Sequence, residues 1–130
     1  IPPLQQTQRN VSITNPAGNS SSESRSPLFE LFWQGQGGIN IKNGRRVPQG
    51  FVEGHQDHVH VAAGPQTVVQ LGHLAQHMGL HVGENPHFGG VDQVHVKDSY
   101  HYKGEAIDVS GTPQQMRAYA HRVASIYGIR

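Results

Sequence analysis

The spacing of apolar and polar residues divides the chain into a polar start and a patterned remainder. In residues 1 to 27, Val11-Ser12-Ile13-Thr14 alternates as a short edge strand does. Asn19-Ser20-Ser21-Ser22-Glu23-Ser24 has the composition of a solvated linker, so the whole stretch is expected to be a flexible tail. Leu28-Phe29-Glu30-Leu31-Phe32-Trp33 is the strongest apolar cluster and is expected to enter the core. Ile39-Asn40-Ile41-Lys42 alternates, Asn43-Gly44 signals a turn, and Arg45-Arg46-Val47 returns as a hairpin partner. His58-Val59-His60-Val61-Ala62 has period two, which puts His58 and His60 on one face of a strand and the valines on the other.

Pro65 suits a first helical position, and Val68, Leu71, Ala75 and Met78 recur at helical spacing, predicting a helix over 65–78 with Gly79 as its stop. Short strands are expected at Leu80-His81-Val82 and from Gln93 to Val96, around a glycine-proline loop over 84–90. Gly104 to Ser110 reads as a core strand with Ala106 and Asp108 on one face. Thr112, Pro113 and Gln115 form a helix-start signature, and Met116, Ala120, Val123 and Tyr127 supply the buried stripe of a helix over 112–127. The expected fold is α+β. A small, mostly antiparallel sheet carries the chemistry on one face and two helices on the other.

The length of 130 residues suits one domain, expected over 28–130. A formal net charge of +1 supplies no broad field for nucleic acid or an anionic membrane. No apolar run approaches the length of a membrane span. The absence of cysteine removes disulfides, thiolate zinc knuckles and thiol nucleophiles. The chain begins at Ile1 without a signal-peptide pattern, so it reads as part of a larger parent polypeptide. The ten histidines change the picture most, because all lie between His55 and His121.

Without thiolates, Zn²⁺ takes nitrogen and oxygen ligands, and a catalytic site uses three from the protein. One source is the run from Gly54 to Val61. Histidines two apart on a strand suit one ligand plus one proton-transfer group. His55 can lean over the same face, and Asp57 can orient an imidazole from behind. The other source is Ser99 to Asp108, where a loop histidine precedes an aspartate inside a strand. Gly104 permits a tight turn into that strand, and Ala106 keeps the face beside Asp108 open. A carboxylate on a buried strand is costly without a cation, and a metal at Asp108 removes that cost.

Ser99, His101, Gly104, Ala106 and Asp108 fit the pattern SxHxxGxAxD. This resembles the first zinc motif of the D-alanyl-D-alanine metallopeptidases, a group that includes lysostaphin-type enzymes and the hedgehog signalling domain. Gly54 to Val61 resembles the second zinc motif of the penicillin-insensitive murein endopeptidases. Residues 80 to 110 also look like a segment of phage tail tape-measure proteins and actinobacterial cell-wall hydrolases. The resemblance implies zinc ligands His60, His101 and Asp108. It implies His58 as general base or transition-state stabiliser, and His55 as the residue that holds or polarises the attacking water. Ser99, Asp57 and Tyr100 become supporting or substrate-contacting residues. The implied activity is hydrolysis of peptidoglycan peptides in an extracellular or periplasmic wall, with a phage tail as one setting. A zinc-stabilised binding module without turnover, as in hedgehog domains, is the alternative. In that group SxHxxGxAxD comes first and HxH last. The order here is reversed, which implies a circular permutation joined through helix 65–78.

The remaining histidines divide by context. His73 and His77 share a helix face, read as a surface or interface pair ahead of a metal pair; His121 is expected in solvent; His87 and His95 flank the glycine loop within reach of a cleft, with the sheet surface an equal alternative for His95. Of Tyr100 and Tyr102, one is expected to pack and the other to meet substrate. Trp33 and Phe32 are expected in the core. Glu53 is a reserve candidate for the base.

Overall fold

The computed structural model describes residues 9–14, 20–48, 54–92, 95 and 98–129, with backbone alone for 9–14 and 20–24. Strands β1 (Arg9–Thr14) and β2 (Ser20–Arg25) pair antiparallel as a separate two-stranded sheet. The serine-rich run read above as linker is therefore a strand. Its ladder is carried by backbone groups, which composition does not report. Glu53 and most of the expected Gln93–Val96 strand lie outside the described residues.

The main sheet comprises β3 (Leu28–Trp33), β4 (Ile39–Lys42), β5 (Arg45–Arg46), β6 (Val59–Ala63), β7 (His81–Gly83) and β8 (Ala106–Ser110). Their order is β5-β4-β3-β6-β8-β7, and every neighbouring pair is antiparallel. Asn43 and Gly44 close the β4–β5 hairpin with φ of 52° and 81°, the left-handed pair that such a turn requires. Helix α1 (Pro65–His77) connects β6 to β7, and β8 returns between them. Helix α2 (Pro113–Ile126) starts on the expected capping box of Thr112 and Gln115.

Both helices cover one face of the sheet. Val68, Leu71 and Ala75 of α1, with Met116, Tyr119, Ala120 and Val123 of α2, cluster with Leu31, Ile41, Val59, Val61, Ile107 and Val109. Each fully buried aliphatic side chain there contributes about 1.5–3 kcal/mol. Tyr119 donates its hydroxyl to the Leu71 carbonyl at 2.7 Å, so its polar end is satisfied within the core.

Alternation sends the intervening residues to the other face. Asn40, Phe32, His60, Asp108 and Gly83 form one row across β4, β3, β6, β8 and β7. Glu30, Ala62 and Ala106 form the row beside it. A bulge between Leu28 and Glu30 interrupts β3, so Leu28 turns into the core where strict alternation would put it with Glu30.

Candidate metal centre

His60 lies directly opposite Asp108 in the β6–β8 register, and a short 3₁₀ turn (Tyr100–Lys103) brings His101 over the same pair. Ser99 caps that turn by accepting the His101 N–H at 3.2 Å. Gly104 ends it in the left-handed conformation, φ 72°. His60, His101 and Asp108 each present a ligand atom, and these atoms lie within 4.8 Å of one another, close enough to hold a metal ion. Asp108 Oδ1 is 3.3 Å from His101 Nε2 and 3.5 Å from His60 Nδ1.

The outward nitrogens of both imidazoles are engaged. His101 donates Nδ1–H to the Glu84 carbonyl at 2.7 Å, which leaves Nε2 facing Asp108. His60 donates Nε2–H to Glu30 Oε1 at 2.8 Å, which leaves Nδ1 facing the same oxygen. Carboxylate or carbonyl partners of this kind fix the tautomer of ligating histidines. Asp108 Oδ1 is itself buried without a hydrogen-bond partner. A buried, unsatisfied carboxylate oxygen between two aimed ring nitrogens is a donor set that a cation completes.

The electrostatics agree. Burial opposes ionisation of Asp108, but His101 and His60 outweigh it and hold the carboxyl well below the usual range. Burial also opposes a charge on His60, yet Asp108 and Glu30 together raise its pKa above the ordinary 6.5. Glu30 is lowered: burial works against this, and His60 and Lys42 overcome it. The centre is thus built to accept positive charge at the point where Nδ1 of His60 meets Asp108.

His58 precedes β6 by one residue. Its Nδ1 meets Asp57 Oδ1 at 2.9 Å, and its Nε2 lies 4.0 Å from Asp108 Oδ1. An open cleft of about 240 Å³ lies beside these groups, lined in part by Asp57, His58, Glu84 and Asp108. His55 sits in an aromatic cluster, its ring 5.1 Å from that of His58, 5.7 Å from His60 and 5.4 Å from Phe32. Two backbone contacts to Gln34 hold it there.

Tyr100 stacks on Phe29 at 5.2 Å, so it packs. Tyr102 is the exposed one of the pair, and its hydroxyl accepts the His95 N–H. His95 stacks on His101 at 4.0 Å and donates Nε2–H to Glu84. His87 stands instead against exposed His73, and neither is among the residues lining the cleft. Phe32 is buried as expected, but on the site face, stacked on His60.

No family model matches the chain, and neither does any curated protein or solved structure.

Glu30 and Glu84 escaped the sequence reading. Glu30 lay hidden inside an apolar run, where its polar position at i+2 before Phe32 was the available signal. Glu30→Ala is expected to weaken metal binding about 10–100-fold, the usual effect of removing the partner behind a ligating histidine. Competition with a chromogenic chelator measures it, and unchanged affinity would show that His60 is oriented without Glu30.

Proposed function

We propose that this protein is a zinc-dependent peptidase that hydrolyses stem-peptide or cross-bridge amide bonds of peptidoglycan. The observation that carries the reading is the convergence of His60 and His101 on Asp108, with His58 beside them at an open cleft. Two imidazoles and one carboxylate without a thiolate suit Zn²⁺, and three protein ligands are the number that catalytic zinc sites use. When bound, zinc acts as a Lewis acid toward the carbonyl under attack.

The chain's own residues supply the rest. Glu30 and the Glu84 carbonyl hold the imidazoles of His60 and His101 in their working tautomers. Asp108 stays ionised through burial because the histidines surround it. His58, braced by Asp57, moves a proton between water and the departing amine. His55 stands behind His58 and assists at the water.

The choice of peptide amides rests on the resemblance of SxHxxGxAxD to the D-alanyl-D-alanine metallopeptidase motif. The reversed motif order reads as a circular permutation, since coordination depends on position in space and His60 and Asp108 face each other on neighbouring strands. The resemblance also points to an extracellular or periplasmic cell wall, with a phage tail as one setting. Among the described residues no helix is long and apolar enough to cross a membrane.

The test is to incubate zinc-loaded protein with purified peptidoglycan and analyse the fragments by mass. Cut stem peptides or cross-bridges are the expected products. An unchanged fragment pattern with zinc bound would overturn the peptidase reading and leave a zinc-stabilised binding module.

A further inference from the structure

We infer that Gly83 is the floor on which a substrate's main chain lies beside the metal centre, and that it selects substrates with a small residue there. The inference rests on the metal-centre reading above and extends it to substrate choice.

Glycine weakens a strand, and inside one it often marks close approach by a ligand or another backbone. Every other described glycine has a local explanation: a positive φ, or an atom within 3.0 Å of where its Cβ would stand. Gly83 has neither. Its φ is outside the positive range, and a Cβ there would meet only His81 Nε2, at 3.5 Å, which is ordinary contact. The fold therefore accepts a side chain at this position.

What a side chain would occupy is the cleft. Gly83 pairs with Asp108 across β7 and β8 and ends the row that holds His60 and Asp108. It lines the same cavity as His58, His81 and Ser110. A Cβ substituent would stand beside the ligating carboxylate. Its absence lets a ligand backbone reach van der Waals contact with β7. The side chains lining the cleft are all polar or charged. A bulky apolar side chain finds no apolar partner on such walls, so over Gly83 a small side chain is favoured above a large apolar one.

The experiment titrates zinc-loaded protein with three hydroxamates, a group that binds zinc directly. Acetohydroxamate has nothing to lay over Gly83, whereas trialanine hydroxamate and trileucine hydroxamate do. Wild type is expected to bind the trialanine compound about tenfold more tightly than either of the others. Gly83→Val should remove that preference while keeping zinc content, thermal stability and acetohydroxamate affinity. Gly83→Ala, a smaller change, should reduce it and serves if the valine variant does not fold. A trialanine preference that survives in the folded variants overturns the inference. Wild type binding acetohydroxamate and trialanine hydroxamate equally also overturns it, yet leaves the metal centre standing. Equal binding of the trialanine and trileucine compounds overturns the size selection. Binding of none of them overturns both this inference and the metal-centre reading.

Discussion

Asp108→Asn is expected to abolish zinc binding and, with zinc withdrawn, to change the sign of its effect on stability with pH. Zinc at a hundredfold excess over Kd stabilises a protein that binds it only when folded by about 2.7 kcal/mol. For a domain of this size that is a rise of roughly 10 °C in Tm, expected for wild type and absent in the variant. Without zinc the balance rests on the histidines. Asp108 Oδ1 is buried with no hydrogen-bond partner, and His101 and His60 favour the charged form of the carboxyl against its burial.

The two pKa shifts set opposite limits. Asp108, depressed from 3.8, contributes stability that is present above that value and lost as pH falls through the folded value. His60, raised from 6.5, contributes stability that is present below that value and lost as pH rises through the folded value. Metal-free wild type is therefore favoured between 3.8 and 6.5, and there the substitution destabilises. As pH rises through the folded value of His60 that contribution is lost, less remains to offset the buried charge, and the amide becomes the better occupant. Thermal melts with and without zinc, inside that window and well above it, check both claims. A zinc-dependent rise in Tm for the variant would place the metal elsewhere.

The site was legible where local pattern and chemistry coincide. Alternation in β6 put His60 opposite the valine face, and a carboxylate within the apolar β8 strand needed a cation. His101 was legible through the resemblance of SxHxxGxAxD to a known zinc motif, although the turn that lifts it over the sheet was not. Its geometry depends on the Ser99 cap and on a carbonyl 17 residues earlier, at Glu84. Glu30 illustrates the limit. It sits in β3, 30 residues before His60, and only the sheet register brings the two together. Composition assigned residues 19–24 to a linker because serine has little strand preference, whereas the pairing of Ser20–Arg25 with β1 uses main-chain groups. Phe32 was placed in the core by its hydrophobicity. It is indeed buried, but alternation puts it under the site, where it walls His55 and His60. The helices were read almost to their ends, since capping and buried stripes are properties of neighbouring residues.

His58→Gln is expected to lower kcat by about 10²–10⁴ while leaving zinc content unchanged, the range seen when a proton-transfer group is removed. His58 differs from His60 and His101 in three ways. Its Nε2 is 4.0 Å from Asp108 Oδ1, beyond hydrogen-bond length. Its side chain is 26% exposed, against 10% for His60 and 3% for His101. It also lines the cleft, so it can exchange protons with water there. Glutamine keeps much of the size and a polar end but cannot carry a proton, so folding and metal binding should persist.

Asp57 braces the far nitrogen of His58, yet its own side chain is 92% exposed and water screens its charge. Asp57→Asn should therefore reduce kcat only several-fold, since an exposed ion pair is worth roughly 0–1 kcal/mol. Steady-state kinetics with metal analysis on the same samples separates the roles. Loss of zinc from His58→Gln would make His58 a ligand. Unchanged kcat would move the proton-transfer role to His55, whose ring lies 5.1 Å away.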